Sequence, residues 1–490
     1  MPPLHRPSRL QVLVAASATA IAVGPGCISS DPAADRLRVD EIAESRLEDR
    51  FDAEDVARAP ALPPAAWNFV DPLDVETAVR VAFQRDAKIR TSLADLDLAR
   101  AELAQADLPP NPALDLAIGV AVDGMSGAPA IAGVTQQLTW IWTRDARVDA
   151  HDAARRAAIL EAAGSMIALD AEIRRLHAVV VARDAMYELD AAHAEATRRT
   201  VETVASIVEV GEASRVDLDR ALVSAAESAA AATAARSDVR RARIELLTAM
   251  GCPDRDPAFE TIGTLDRNLA IPDESRIVEL ARSVRLDVAA ARMGVLEAEA
   301  GHRLAGAARW SEVGVGAAWN RSFMEREAIL PGARVTVPIL DDGSTQVAAA
   351  RARLDAARLR LLDVRRDAVG VARSTREAFV RSNRRRADYA ETVLEPALEA
   401  ERLAESAYRE GVIDLTVLLL AQQRRVEVER RLVEYRLASQ VERITLEETV
   451  GGSFDLDPIP PAVPRIDEAS KAALVEPRLQ AGRTSMEFSA

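Results

Sequence analysis

Two long runs without a helix breaker near their middle constrain this chain more than any other feature. Arg144 to about Val208 contains no proline and a single glycine, Gly164. With a rise of about 1.5 Å per residue, a helix over that run extends on the order of 100 Å. Ser344 to about Tyr408 is similar in length, with Pro396 as a kink near one end. Helices this long need long neighbours rather than a globular core. Hydrophobic residues make up 49% of the chain but aromatics only 3%, so alanine carries much of the apolar count. That mixture suits long helices meeting along thin seams.

Shorter helical stretches accompany each run, at about 74–108 and 212–250, then at about 274–308 and 412–450. A shorter pair stacked end to end matches one long helix. Leu415, Leu419, Gln422, Val426, Val433, Leu437, Val441 and Ile444 step at coiled-coil spacing, which an ordinary packed seam also explains. The order repeats after about 200 residues, giving units 73–262 and 263–452. The turn glycines Gly211 and Gly411 lie 200 positions apart.

Each unit also holds a strand pair, at about 113–122 and 131–142, then at about 311–321 and 332–340. In the first, Leu114, Leu116, Ile118, Val120 and Val122 alternate with small or polar residues. In the next, Val134, Leu138, Trp140 and Trp142 alternate with Gly133, Thr135, Gln137 and Thr139. Val313, Val315, Ala317 and Trp319 repeat the pattern, as do Val335, Val337 and Ile339. Alternation means one apolar and one polar face. A small periplasmic sheet packed on helices would show it too. Membrane strands are favoured by the small, hydrophilic second face and by Trp140, Trp142, Trp310 and Trp319, which lie in or beside these runs as an interfacial belt would place them. On that reading Leu116, Ile118, Val315 and Val337 face lipid, while Thr135, Gln137, Asn320 and Thr336 face water. Four strands cannot close a barrel, and open strand edges are not tolerated in lipid, so several chains must share one.

The N-terminus reads as a targeting segment. Arg6 and Arg9 precede the apolar run Leu10–Val23, and Gly24-Pro25-Gly26-Cys27 follows. This gives a signal peptide over 1–26 with Cys27 as a lipidated first residue; an ordinary secretory signal cut nearby is the alternative. Residues 27–72 read as a lipid-anchored linker with at most one short helix, and 453–490 as a Pro-rich tail. The net charge of −15 argues against a general nucleic-acid role. The five histidines are scattered, and no catalytic constellation, cofactor motif or metal-ligand spacing is present.

The whole order resembles the TolC-like outer membrane factor family, and more narrowly its lipoprotein channels serving resistance-nodulation-division pumps. The residues that carry this are the duplicated layout, Asn111-Pro112 before the first strand, and Val337-Pro338-Ile339-Leu340 with Gly343 before the second long helix. Pro396 followed by Tyr408-Arg409-Glu410-Gly411 adds to it, as does a glycine turn leading into an Asp/Leu/Val helix start. The resemblance spans about residues 73–452. It implies a mainly α fold with membrane β, in which a homotrimer shares a 12-stranded barrel and an α-helical coiled-coil tunnel. It implies a passive outer-membrane conduit with a large periplasmic part, working with a periplasmic adaptor and an inner-membrane efflux pump. It also implies that the turns are periplasmic tips forming a gate, with Gly211, Arg215, Asp217, Leu218, Gly411, Asp414, Leu415 and Val417 as its residues. Arg215 and Arg409 are the expected charge partners of the two aspartates, and Leu415 and Val417 the apolar contacts. Asp217 and Asp414 equally suit plain helix-start acids. A periplasmic coiled-coil adaptor or scaffold lipoprotein without a barrel is the competing reading; an adaptor would carry flanking lipoyl-like segments rather than a duplicated hairpin pair.

Overall fold

The computed structural model describes residues 28–47, 67–120, 127–265, 270–309, 313–322, 324, 326–454 and 462–465. Cys27, Val122 and Trp310 lie outside them. Helix α1 is Ala33–Glu44. The first repeat then runs α2 (Val75–Arg85), α3 (Ala87–Asp107), β1 (Ala113–Ile118), β2 (Ala130–Gln137), α4 (Trp140–Glu209) and α5 (Arg215–Ala249). The second runs α6 (Glu274–Ser283), α7 (Leu286–Ala307), β3 (Val313–Arg321), β4 (Glu327–Val335), α8 (Ser344–Tyr389), a π-helical turn (Ala390–Leu394), α9 (Glu395–Arg409) and α10 (Leu415–Val450).

Helix α4 is unbroken over 70 residues, about 105 Å. Its counterpart is interrupted where Pro396 lacks the N–H that would bond Thr392, and the chain widens into the π turn just before it. Each stretch expected as one helix before the strands is two. In the first repeat Asp86 ends α2 and caps α3, its carboxylate accepting from the N–H groups of Lys88 and Ile89 at 2.7 and 3.0 Å. In the second the break falls at Val284–Arg285. A break at the same place in both repeats supports the duplication.

The helices form a sheet of cylinders. Near the tips the lateral order is α5, α4, α10 and then α9 with the lower part of α8; towards the strands it is α3, α4, α7, α8. Helices α3 and α5 therefore form one edge of the protomer, and α8 and α9 the other. The main core lies mid-length, where α1, α2, α3, α5 and α7 pack on α4, with Trp67 edge-on to Phe259 at 5.1 Å. Helix α1, in the segment expected to be linker, is held by charges as well as by the buried Val39, Ile42 and Ala43. Asp35 is buried between Arg155 (2.6 Å) and Arg100 (3.5 Å). Part of the tail docks as well, since Arg155 also donates to the Pro464 carbonyl at 3.0 Å.

The four strands make one antiparallel sheet in the order β1-β2-β3-β4. Three of the strands differ in extent from expectation. β1 ends at Ile118. β2 ends at Gln137, and Trp140 and Trp142 open helix α4, where the Trp142 indole donates to the Ala307 carbonyl at 3.2 Å. β4 lies earlier than expected, so Thr336, Val337 and Ile339 fall beyond it. Pro331 sits inside β4, opposite Ala317 of β3, whereas Pro338 helps end the extended run.

Candidate functional site

The sheet register sorts the strand residues onto two faces. Residues directly opposite in antiparallel strands share a face. Leu114 pairs with Val134 and Leu116 with Ala132; Val134 pairs with Ala317 and Ala132 with Trp319; Trp319 pairs with Ile329 and Val313 with Val335. The middle rows of that face are apolar from β1 to β4, with Gln136, Arg321 and Glu327 towards its ends, and it is bare: Leu116 and Ile118 are 70% and 80% exposed, Ile329 56%. The opposite face carries Asp115, Thr135, Gln137, Asn320 and Arg334 among small residues such as Gly133, Gly314, Gly316 and Gly332, with Ile131 and Leu330 as its two large apolar side chains. Of the residues expected to divide between lipid and water, Leu116, Ile118 and Val315 lie on the apolar face and Thr135, Gln137 and Asn320 on the polar one. Small residues there leave room, and a Cβ at Gly316 would come within 2.5 Å of the Val134 carbonyl. The outer edges of β1 and β4 have no strand partner among the described residues.

The second candidate region is the pair of turns at the far end. Gly211 and Gly411 have φ of +83° and +73°, the left-handed region where a side chain costs most. Each turn closes with the same two bonds. Gly211 N–H donates to the Val208 carbonyl and Glu212 N–H to Ile207, both at 3.1 Å; Gly411 donates to Tyr408 at 3.0 Å and Val412 to Ala407 at 2.8 Å. These are helix-ending Schellman bonds, and they give the Tyr408-Arg409-Glu410-Gly411 run a physical role.

The helices that leave the turns are capped by the two aspartates. Ser214 and Asp217 form a reciprocal box, each accepting from the other's backbone N–H at 3.2 Å. The Ser214 hydroxyl, then its N–H, hold the Asp217 carboxyl below its ordinary range. Asp414 accepts from Val417 N–H at 3.1 Å. The expected charge partners differ. Arg215 lies 3.4 Å from Asp219 and Arg409 3.3 Å from Glu405, each one turn along its own helix, while Asp217 has Arg220 at 3.8 Å. Arg220 was not singled out by the sequence reading. It also donates to the Thr416 hydroxyl at 3.2 Å and so ties the two helix starts together; its spacing of three from Asp217 was the available signal. Leu415 is buried at the centre of a small apolar cluster with Val204, Ala221, Ala404 and Leu418, against which Leu218 and Tyr408 pack. Within one protomer it holds the tip together rather than offering a free contact. Val417 is exposed.

Solved structures share this architecture. CusC, which forms a transmembrane channel, matches over 81% of this chain and 98% of its own, with a TM-score of 0.66 at 14% identity. The outer membrane protein VceC of Vibrio cholerae matches over 78% and 96%, with a TM-score of 0.64 at 19% identity. The outer membrane channel MtrE of Neisseria gonorrhoeae, in its open state, matches over 77% and 89%, with a TM-score of 0.61 at 16% identity. No family model matches the chain, and no curated protein matches it in sequence. At these identities the match establishes the fold: the chain is folded like these outer-membrane channels, and the resemblance to the TolC-like family is borne out at that level.

Proposed function

We propose that this chain is the outer-membrane channel of a tripartite efflux or export system, a passive conduit that works as a homotrimer with a periplasmic adaptor and an inner-membrane pump. One observation carries the reading. A sheet with a bare apolar face, a polar face lined by small residues and two open edges sits at one end of a helical body about 100 Å long. In water the bare face would be a liability; in lipid it is required, and the open edges then call for neighbouring copies. Three four-stranded sheets would close a twelve-stranded barrel with the polar face inward.

Lipid anchoring through Cys27 fits the same arrangement. Ile28 N–H donates to the Asp107 carboxylate at 3.1 Å, and Asp107 also pairs with Arg144. Asp107 ends α3 and Arg144 opens α4, both next to the strands, so an acyl chain on the preceding residue would meet the membrane the sheet spans. The remote tips are then the periplasmic mouth, with Gly211, Arg215, Asp217, Leu218, Gly411, Asp414, Leu415 and Val417 as the gate region. The test is reconstitution of detergent-extracted protein in planar bilayers, with cysteines at Thr135, Asn320, Leu116 and Val315. A small charged thiol reagent should react at the first two and reduce conductance. No conductance, or equal labelling at all four positions, would refute the proposal.

A further inference from the structure

The edges of the sheet and the edges of the helical layer coincide. β1 follows α3, and β4 leads into α8. If β4 of one copy pairs with β1 of the next, α8 must run antiparallel to α3 of that next copy. This rests on the multi-chain channel reading above. What the two helices expose shows how they would meet.

On α3 the side away from α4 presents Thr91, Ala94, Leu98, Ala101 and Gln105, with Leu98 57% exposed. On α8 the side away from α7 and α10 presents Ala348, Ala352 and Leu359, with Leu359 66% exposed. The α3 row sets small residues around one exposed leucine, and the α8 row does the same with the exposed Asp355 between Ala352 and Leu359. Charges flank both rows. At about 100° per residue, Asp95 and Glu102 lie within a quarter turn to one side of the α3 row. Arg353 and Arg360 flank the α8 row, and when the two rows face each other antiparallel these arginines fall on the same side as the acids. The members of each pair are seven residues apart.

Ion pairs within the protomer give the levels. Glu102 is at the level of His151 on α4 (3.8 Å), and Arg303 of α7 is at the level of Asp149 (2.6 Å). Glu299, one turn further from the strands than Arg303, holds Arg358 of α8 at 2.9 Å. Counting along each helix from these pairs, Leu359 falls within about one residue of the level of Leu98, and Arg353 and Arg360 each lie about three residues nearer the strands than Glu102 and Asp95, about 4.5 Å that an arginine side chain spans. Among the described residues Asp95, Arg353 and Arg360 have no ion-pair partner.

We infer that α8 of one copy docks on α3 of a second copy of this chain, with Leu359 against Leu98, and that Arg353–Glu102 and Arg360–Asp95 pairs set the register of the seam. The contact joins different faces, so it is head-to-tail, the kind of interface that forms a ring where the rotation between copies closes. The test co-expresses one copy carrying Leu98→Cys with another carrying Leu359→Cys, both in a Cys252→Ala background, and oxidises outer-membrane fractions. A reductant-sensitive dimer band should appear on co-expression and be absent from either variant alone. Arg360→Glu on one partner should lower the cross-link yield about two- to fivefold, and Asp95→Arg on the other should restore it. An oligomer of normal size with no cross-link overturns the seam while leaving the channel intact. So does a dimer from Leu359→Cys alone, or a cross-link only to a different protein. A protein found solely as a monomer in detergent extracts overturns the channel reading itself.

Discussion

At the scale of single residues, the turn glycines and one buried histidine make the sharpest cases. No atom lies within 4 Å of a Cβ built at Gly211 or Gly411. A substitution there is opposed by backbone conformation alone. Gly411→Val should cost about 1–2 kcal/mol, and Gly411→Asn less, because asparagine visits the left-handed region more readily. Thermal unfolding of the detergent-solubilised protein measures this, and equal losses for the two variants would point to a steric cause instead. His177 is buried, which lowers its pKa, and its Nε2 lies 3.2 Å from the Leu73 carbonyl, with Asp74, Arg174 and Asp184 nearby. The folded form holds it neutral with Nε2–H donating. A depressed folded pKa means stability that is complete above the ordinary value of about 6.5 and is lost as pH falls through the folded value. Unfolding temperatures should therefore decline on mild acidification, and His177→Gln should flatten that slope. An unchanged slope in the variant would assign the decline to other groups.

The elements show which parts of the fold the sequence declares. Long helices, the duplication and the face pattern of the strands were legible because each is periodic over many residues. The π turn was foreshadowed by Pro396, and the left-handed turns by Gly211 and Gly411. Boundaries set by single interactions were not. Nothing periodic separates Gln137 from Trp140, so alternating apolar residues continued the strand on paper into what is the first turn of α4. Pro331 hid the true β4, because a proline inside a run argues against a strand there. At the tips, the glycines and capping acids were readable, but the Arg220–Thr416 link joins separate helices and left only a spacing of three as its trace. Helix α1 depends on such a link too. Asp35→Ala would leave Arg155 and Arg100 buried without that carboxylate, and removing one partner of a buried pair costs about 3–5 kcal/mol. That cost should appear locally, as faster proteolysis within residues 28–47 and little change in cleavage of α4. Protection equal to the unmodified chain would mean that Asp152, 2.8 Å from Arg155, suffices.

For the whole molecule, the two faces of the sheet predict opposite responses to charge. Leu116→Arg places a cation on the bare apolar face, where a membrane barrel loses about 2–4 kcal/mol near mid-bilayer. Asn320→Arg adds the same group to the polar face. The first should reduce assembled protein in outer-membrane fractions, while the second should assemble normally and change ion preference in bilayers. Equal assembly of both would count against a lipid-facing side. The helical body is also unequal in a mechanical sense. In the first repeat an unbroken rod of 70 residues runs from sheet to turn, braced along its length by helices on several sides. In the second the same distance is covered by a rod with a soft joint, where the π turn and Pro396 leave the hydrogen-bond ladder incomplete. A force applied at the tips would be carried by the first as by a column and absorbed by the second as by a hinged strut. Duplication has thus yielded one member that sets the height of the protein without a break and one that reaches the same height through a joint above its last 15 residues.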